Sequence, residues 1–272
     1  MSASSDTRPV RPPVATVDTR PLLVFALVAV PTGWVFLSAY QLLGLPDAPF
    51  VLLTLALGLV LPAVLLLRRD PTASVVALLR DTLRPARPGW LMLPALLALP
   101  VGTWVPAAAL DGAEPLDADV VLGFAVALLS SLLVVNLWEE LAWTGFFQRR
   151  AIGRWGVVGG SLVTAALFAA IHLPLALADA DGPGDVLRGL AALVGAGIGM
   201  RLLVAAFDQW SGRSLLAVAA LHASFNATAE VVDPDLDWIR YLVTVTSGIF
   251  AVALLRRPAV AQPSPIPEEH HR

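Results

Sequence analysis

Eight apolar runs, separated by short charged segments, divide this chain. They lie near residues 21–44, 50–67, 89–110, 119–147, 156–178, 186–207, 214–231 and 237–255. A helix needs about 20 apolar residues to cross a hydrocarbon core of about 30 Å. Inside lipid, every backbone N–H and C=O must be satisfied within the protein, and uninterrupted runs of this length achieve that as helices. The expected fold is therefore all-α: a polytopic transmembrane helical bundle of about eight spans. Composition agrees. Hydrophobic residues make up 57% of the chain and charged residues 14%, where a soluble domain carries about 25% charged residues.

The loops between the runs alternate in charge. One set holds Arg8, Arg11, Arg20, Arg68, Arg69, Arg80, Arg84, Arg87, Arg149, Arg150, Arg154, Arg213, Arg256 and Arg257. The other set holds Asp47, Asp111, Glu114, Asp117, Asp119, Asp179, Asp181, Asp185, Asp233, Asp235 and Asp237, with only Arg188 and Arg240 among them. By the positive-inside rule the Arg-rich ends are cytoplasmic. Both termini then lie in the cytoplasm, which needs an even number of spans. Residues 1–20 are rich in Pro, Thr and Arg, and residues 258–272 form a second Pro-rich polar stretch. Both are expected to be disordered cytoplasmic tails flanking a transmembrane domain over 21–257, and His270 and His271 are expected to be solvated in the second tail. The start of the chain does not have the form of a cleavable signal peptide.

Several function classes fall away at this point. The basic residues are all Arg and are scattered over loops, so no nucleic-acid footprint is formed. With no Cys, thiolate metal sites and a cysteine nucleophile are absent. The expected surroundings are a lipid bilayer, and the Lys-free, Ala-rich composition points to the plasma membrane of a GC-rich bacterium.

Ionisable groups at bilayer depth are costly, and each is a functional hypothesis by default. Glu139 and Glu140 lie in the fourth run, His172 in the fifth, and His222 and Asn226 in the seventh, one turn apart on one face. Counting about 1.5 Å per residue from the flanking Arg residues places Glu139 about 15 Å deep, His222 about 14 Å and Asn226 about 20 Å. His172 lies about 22 Å into its helix. If the three helices are neighbours, these groups share one level and one cavity.

Such a set suits amide hydrolysis. A carboxylate and an imidazole can deprotonate a water, while a second imidazole and a carboxamide can donate to an oxyanion. Alternatively, Glu139, His172 and His222 can hold a divalent metal such as zinc, whose bound water is the nucleophile. Singly, a buried His or Asn is often only an interhelical hydrogen bond; two adjacent carboxylates in the same helix are harder to explain that way. Glu230 continues the His222 face but reads as an interfacial group, and Arg201 reads as a side chain that snorkels to the cytoplasmic surface. Gly195 and Gly199 read as a small-xxx-small packing pair. No internal repeat supports a transporter of the inverted-repeat type.

The pattern Glu139-Glu140 with Trp143, Gly145 and Phe146, then Phe168-x-x-x-His172, then His222-x-x-x-Asn226, resembles the CPBP family. That family includes the type-2 CAAX prenyl endoproteases and the Abi proteins of bacteria. The likeness covers a motif core of about 119–231. It implies an intramembrane endopeptidase acting on a peptide or membrane-protein substrate. Glu139 and His172 would activate the water, His222 and Asn226 would form the oxyanion site, and Glu140 would be a supporting carboxylate. Both metal-dependent and metal-free mechanisms are argued for the family. One departure stands out: the family's motif Arg falls on Thr144, which removes a cation able to bind a substrate carboxylate or pair with a Glu. Two other readings compete with the protease, a non-catalytic bacteriocin-immunity or scaffold protein and a proton-coupled transporter. A site-2-type zinc protease lacks its His-Glu-x-x-His here. A rhomboid-type serine at Ser161 would lie away from the level of the histidines.

Overall fold

A computed structural model describes residues 18–178 and 180–256. The tails expected over 1–20 and 258–272 fall outside these residues, except at 18–20, where Arg20 already begins the first helix. His270 and His271 also lie outside the described residues.

Among the described residues the chain is an all-α bundle. Its helices are α1 (Arg20–Leu43), α2 (Ala48–Arg68), α3 (Val75–Leu83), α4 (Gly89–Ala108), α5 (118–148), α6 (Arg149–Ala178), α7 (Pro183–Trp210), α8 (Leu215–Val231) and α9 (Trp238–Leu255). Six of the continuous helices are long and apolar enough to cross a membrane. Every one of the eight predicted runs is helical, and two elements explain the smaller number. α5 and α6 form one 61-residue stretch, Ala118–Ala178, that holds two of the runs. It breaks at Gly156, whose φ of 72° and ψ of 174° are open to glycine and strained for any residue with a Cβ. The other element is α8, which is shorter than a full crossing. Residues 217–224 of α8 are buried on all sides, packed by α4, α5 and α7. A helix walled in by protein does not have to match the thickness of the lipid.

Local chemistry sets several boundaries. Side chains cap three helices: Ser74 accepts from the Ala77 N–H, Asp117 from Asp119 and Val120, and Ser214 from Ala217. Pro62 has no N–H to give, and the Thr54–Val60 stretch before it is π-helical. α3 is not among the predicted runs. It is too short and too polar to span, and it lies at the Arg-rich end with Leu78 and Thr82 buried and Val76 and Leu83 exposed.

The two loop sets gather at opposite ends. Arg149 bonds Asp208 at 2.7 Å and Asp81 at 3.1 Å, Arg150 reaches Asp70 at 3.1 Å, and Arg84 donates to the Gly212 carbonyl at 2.6 Å. At the acidic end, Asp233 N–H donates to the Gly112 carbonyl at 2.9 Å and Glu114 N–H to the Val231 carbonyl at 3.1 Å. The charge alternation read along the sequence is therefore a real sorting of loops in space.

α7 packs between α6 and α9, and its C-terminal half, over residues 197–208, runs through the interior. The expected glycine pair on α7 is only half right. A Cβ at Gly195 would meet nothing within 4 Å, whereas one at Gly199 would lie 2.6 Å from Val245 Cα. The true partner is Gly248 of α9, where a Cβ would lie 2.3 Å from the Gly199 carbonyl oxygen. Two backbones in contact at this point exclude any side chain.

Gly199→Ala should lower stability by about 1–3 kcal/mol, read from unfolding in detergent, while Gly195→Ala leaves it unchanged or raised. Because the chain has no Cys, single-cysteine labelling reports sidedness cleanly. Arg80→Cys and Arg154→Cys should react with an impermeant maleimide from the cytoplasmic face only, and Pro115→Cys and Asp235→Cys from the opposite face only.

Candidate functional site

α5 carries the two carboxylates in a short regular stretch, Leu137–Glu140, set between π-helical stretches at Ser131–Asn136 and Leu141–Gln148. Each π turn takes in one extra residue and rotates the remainder of the helix by about 100° relative to a regular one. Adjacent residues also point about 100° apart. The two carboxylates accordingly part company. Glu139 lines a cavity of about 470 Å³, together with Phe168 and His172 of α6, and His222 and Asn226 of α8. Glu140 does not line it and is fully buried behind His222. Four of the five predicted site residues thus share one cavity, and the fifth touches it through a neighbour.

Glu140 is the most heavily bonded carboxylate in the described chain. Arg201 of α7 grips it with both terminal nitrogens, Nη2 to Oε1 at 2.9 Å and Nη1 to Oε2 at 3.0 Å. The Thr144 hydroxyl donates to Oε2. His222 Nδ1 lies 2.7 Å from Oε1. Four donors fill the four lone-pair positions of the carboxylate. Contrary to the expectation from sequence, Arg201 does not snorkel: it is 0% exposed, because α7 lies in the interior and Glu140 supplies the partner that water would otherwise provide. Its guanidinium is a further 4.6 Å from the centre of the Phe168 ring, a cation–π contact. The cation that the resemblance places at position 144 is supplied in this chain from a different helix.

The two histidines are held alike. His172 Nδ1 is 2.7 Å from the Phe168 carbonyl, one turn earlier in α6. A carbonyl only accepts, so this nitrogen carries the proton. His222 Nδ1 faces Glu140, whose oxygens are acceptors in the grip of Arg201, and it too carries a proton. Each ring therefore keeps Nε2 for the cavity. Phe168 sits between them, with ring centres 4.3 Å from His172 and 5.8 Å from His222. This explains the Phe-x-x-x-His spacing: the Phe supplies a backbone acceptor and a stacking face to the His one turn on.

Glu139 is tied more lightly. Asn136 Nδ2 donates to its Oε2 at 3.1 Å, and His222 Nδ1 is 3.9 Å from the same oxygen. Asn226 is exposed to the cavity and donates to Ser131 Oγ and to Asn136 Oδ1, both at 3.1 Å. Ser131 Oγ donates to Asn136 Oδ1 at 2.7 Å. Asn136 therefore links the carboxylate on α5 to the carboxamide on α8. Sequence reasoning missed it, although it lies three residues before Glu139 on the same helix face, deep in an apolar run. Arg240 and Tyr241 of α9 also line the cavity. Arg240 donates to the Phe225 carbonyl at 3.1 Å and pairs with Asp237 at 2.7 Å.

Two readings set aside on sequence stay aside. Ser161 is fully buried, accepts from Gln148 Nε2 at 3.3 Å and does not line the cavity. Glu230 is exposed in the last turn of α8, one turn past Asn226. Glu139, His172 and His222 are the donors that a divalent metal would use here. Among the described residues no three His, Asp or Glu side chains converge closely enough to hold one in this conformation.

Residues 121–228 match the family model described as type II CAAX prenyl endopeptidase Rce1-like. This span takes in the carboxylate pair, both histidines, Asn226 and Arg201. No curated protein matches the sequence.

Asn136→Leu should cost about 0.5–2 kcal/mol of bundle stability, the range for hydrogen bonds between membrane helices, read from unfolding in detergent. Ser130→Ala, whose hydroxyl bonds only the Ala127 carbonyl of its own helix, should leave stability unchanged.

Proposed function

From the match of residues 121–228 to the type II CAAX prenyl endopeptidase Rce1-like model, we propose that this multi-pass membrane protein is an intramembrane endopeptidase whose Glu139 and His172 activate the attacking water. The single observation that carries the reading is the convergence of Glu139, His172, His222 and Asn226 on one cavity from three helices.

A peptide enters the cavity in an extended form, with its scissile carbonyl between α5, α6 and α8. Glu139, held by one neutral donor and free of any cation within bonding distance among the described residues, accepts a proton from the water. His172, with Nδ1 tied to Phe168, offers the lone pair of Nε2 to the same water. Asn226 turns an amide N–H from Ser131 or Asn136 to the carbonyl oxygen as charge builds there, and His222 supports that charge once the water proton has moved from Glu139 to its Nε2. The proton taken from water returns to the departing amine. Apolar walls from α1, α2 and α7 suit a hydrophobic peptide or a segment of a membrane protein. We place the protein in the plasma membrane of a bacterium, with its Arg-rich ends in the cytoplasm.

The test is cleavage of a co-expressed peptide library in membranes. Glu139→Gln and His172→Ala should each reduce product by about 10²–10⁴-fold while inserting at wild-type levels. Products that persist in both variants would reject the hydrolytic role of the cavity.

A further inference from the structure

The proposed mechanism uses Glu139 directly but leaves the most elaborate polar cluster among the described residues without a task. Glu140 and Arg201 are both fully buried, and neither lines the cavity. Their pairing is two-pronged, at 2.9 and 3.0 Å. Its one contact with a cavity residue, apart from Arg201 over the face of Phe168, is the 2.7 Å approach of His222 Nδ1 to Glu140 Oε1.

We propose that Arg201 is a positioning residue of the site: it locks the Glu140 carboxylate as an acceptor, and the carboxylate locks His222 with Nδ1 protonated and Nε2 presented to the cavity. The inference rests on the hydrolytic reading of the cavity for its purpose, but not for its geometry. Three features of the cluster carry it. Both carboxylate oxygens are bound by the guanidinium fork, so the acceptor group cannot rotate away from His222. The Thr144 hydroxyl occupies another lone pair, which leaves the imidazole the one remaining acceptor position. The cation also lies over Phe168, the ring stacked on His172, so the same Arg steadies the neighbourhood of both histidines. A carboxylate behind an imidazole is the usual way in which a protein fixes the ring's tautomer and direction.

The cation can also be supplied from a second position in this chain. Thr144 lies one turn beyond Glu140 and already touches its carboxylate, so an Arg at 144 reaches the same oxygens once the Arg201 side chain is shortened. The test compares two double variants. Thr144→Arg with Arg201→Met restores a cation beside Glu140. Glu140→Gln with Arg201→Met removes both charges, and so leaves no lone ion buried. Thermal unfolding in detergent establishes that both fold. The exchange variant should cleave within about tenfold of wild type. The uncharged variant should lose about 10–100-fold in kcat, with KM unchanged. Nitrogen NMR of ¹⁵N-histidine-labelled protein, with His222 assigned by its loss in His222→Gln, reads the positioning without turnover. Wild type and the exchange variant should show His222 protonated at Nδ1, and the uncharged variant should populate the Nε2–H tautomer. Identical His222 spectra in all three proteins, or a folded exchange variant as inactive as the uncharged one, would overturn the proposal. A wild type that cleaves nothing, yet shows the tautomer locked and then released, would reject the hydrolytic reading and leave the positioning role standing.

Discussion

A guanidinium and a carboxylate, sealed together away from water, hold the middle of this bundle. Removing either partner alone from such a pair costs about 3–5 kcal/mol, because the other is left charged and unpaired. Arg201 and Glu140 therefore tie α7 to α5 in one register. His222 on α8 joins the same carboxylate, and Phe168 on α6 lies under the cation. Four helices meet on a single ion pair. Elsewhere apolar packing and the Gly199–Gly248 contact are joined by polar ties between helices, Arg149 to Asp208 and Asn226 to Asn136 among them.

The histidines show how backbone and side chain can serve the same end. His172 is oriented by a main-chain carbonyl in its own helix, His222 by a carboxylate from another. The first depends on nothing but helical geometry. The second depends on two further helices being in place. The cavity is therefore complete only when α5, α7 and α8 have all docked.

Much of this architecture is readable from the chain. Apolar run length gives the eight helical segments, because lipid leaves the backbone no other way to satisfy its polar groups. Loop charge gives the sorting of the two ends. Depth alone gathers Glu139, His172, His222 and Asn226, since rise per residue is nearly constant. The features that escape depend on direction rather than depth. The π turns around Leu137–Glu140 rotate the helix by amounts that a regular period does not describe, so the opposite fates of Glu139 and Glu140 are not visible in sequence. Arg201 is misread because its distance from a helix end is compatible with snorkelling, and only the placement of α7 in the interior shows that its path to the surface is closed. Asn136 escapes because a neutral carboxamide is a weak signal beside two carboxylates. The pairing of Gly199 with Gly248, rather than with Gly195, is a matter between helices, and no spacing within one helix reports it.

The cavity is built by two parts of the chain that differ in what they contribute. The groups able to do chemistry come from 121–228. A large share of the surrounding wall comes from α1 and α2, with Leu37, Val51, Thr54, Leu55 and Leu59, and from α9, with Arg240 and Tyr241. None of those wall residues bonds Glu139, Glu140, His172 or His222. The bonds that hold the ion pair and the two imidazoles run within 121–228 alone. Substitutions in that wall would change the shape and polarity of the cavity before they reached those bonds.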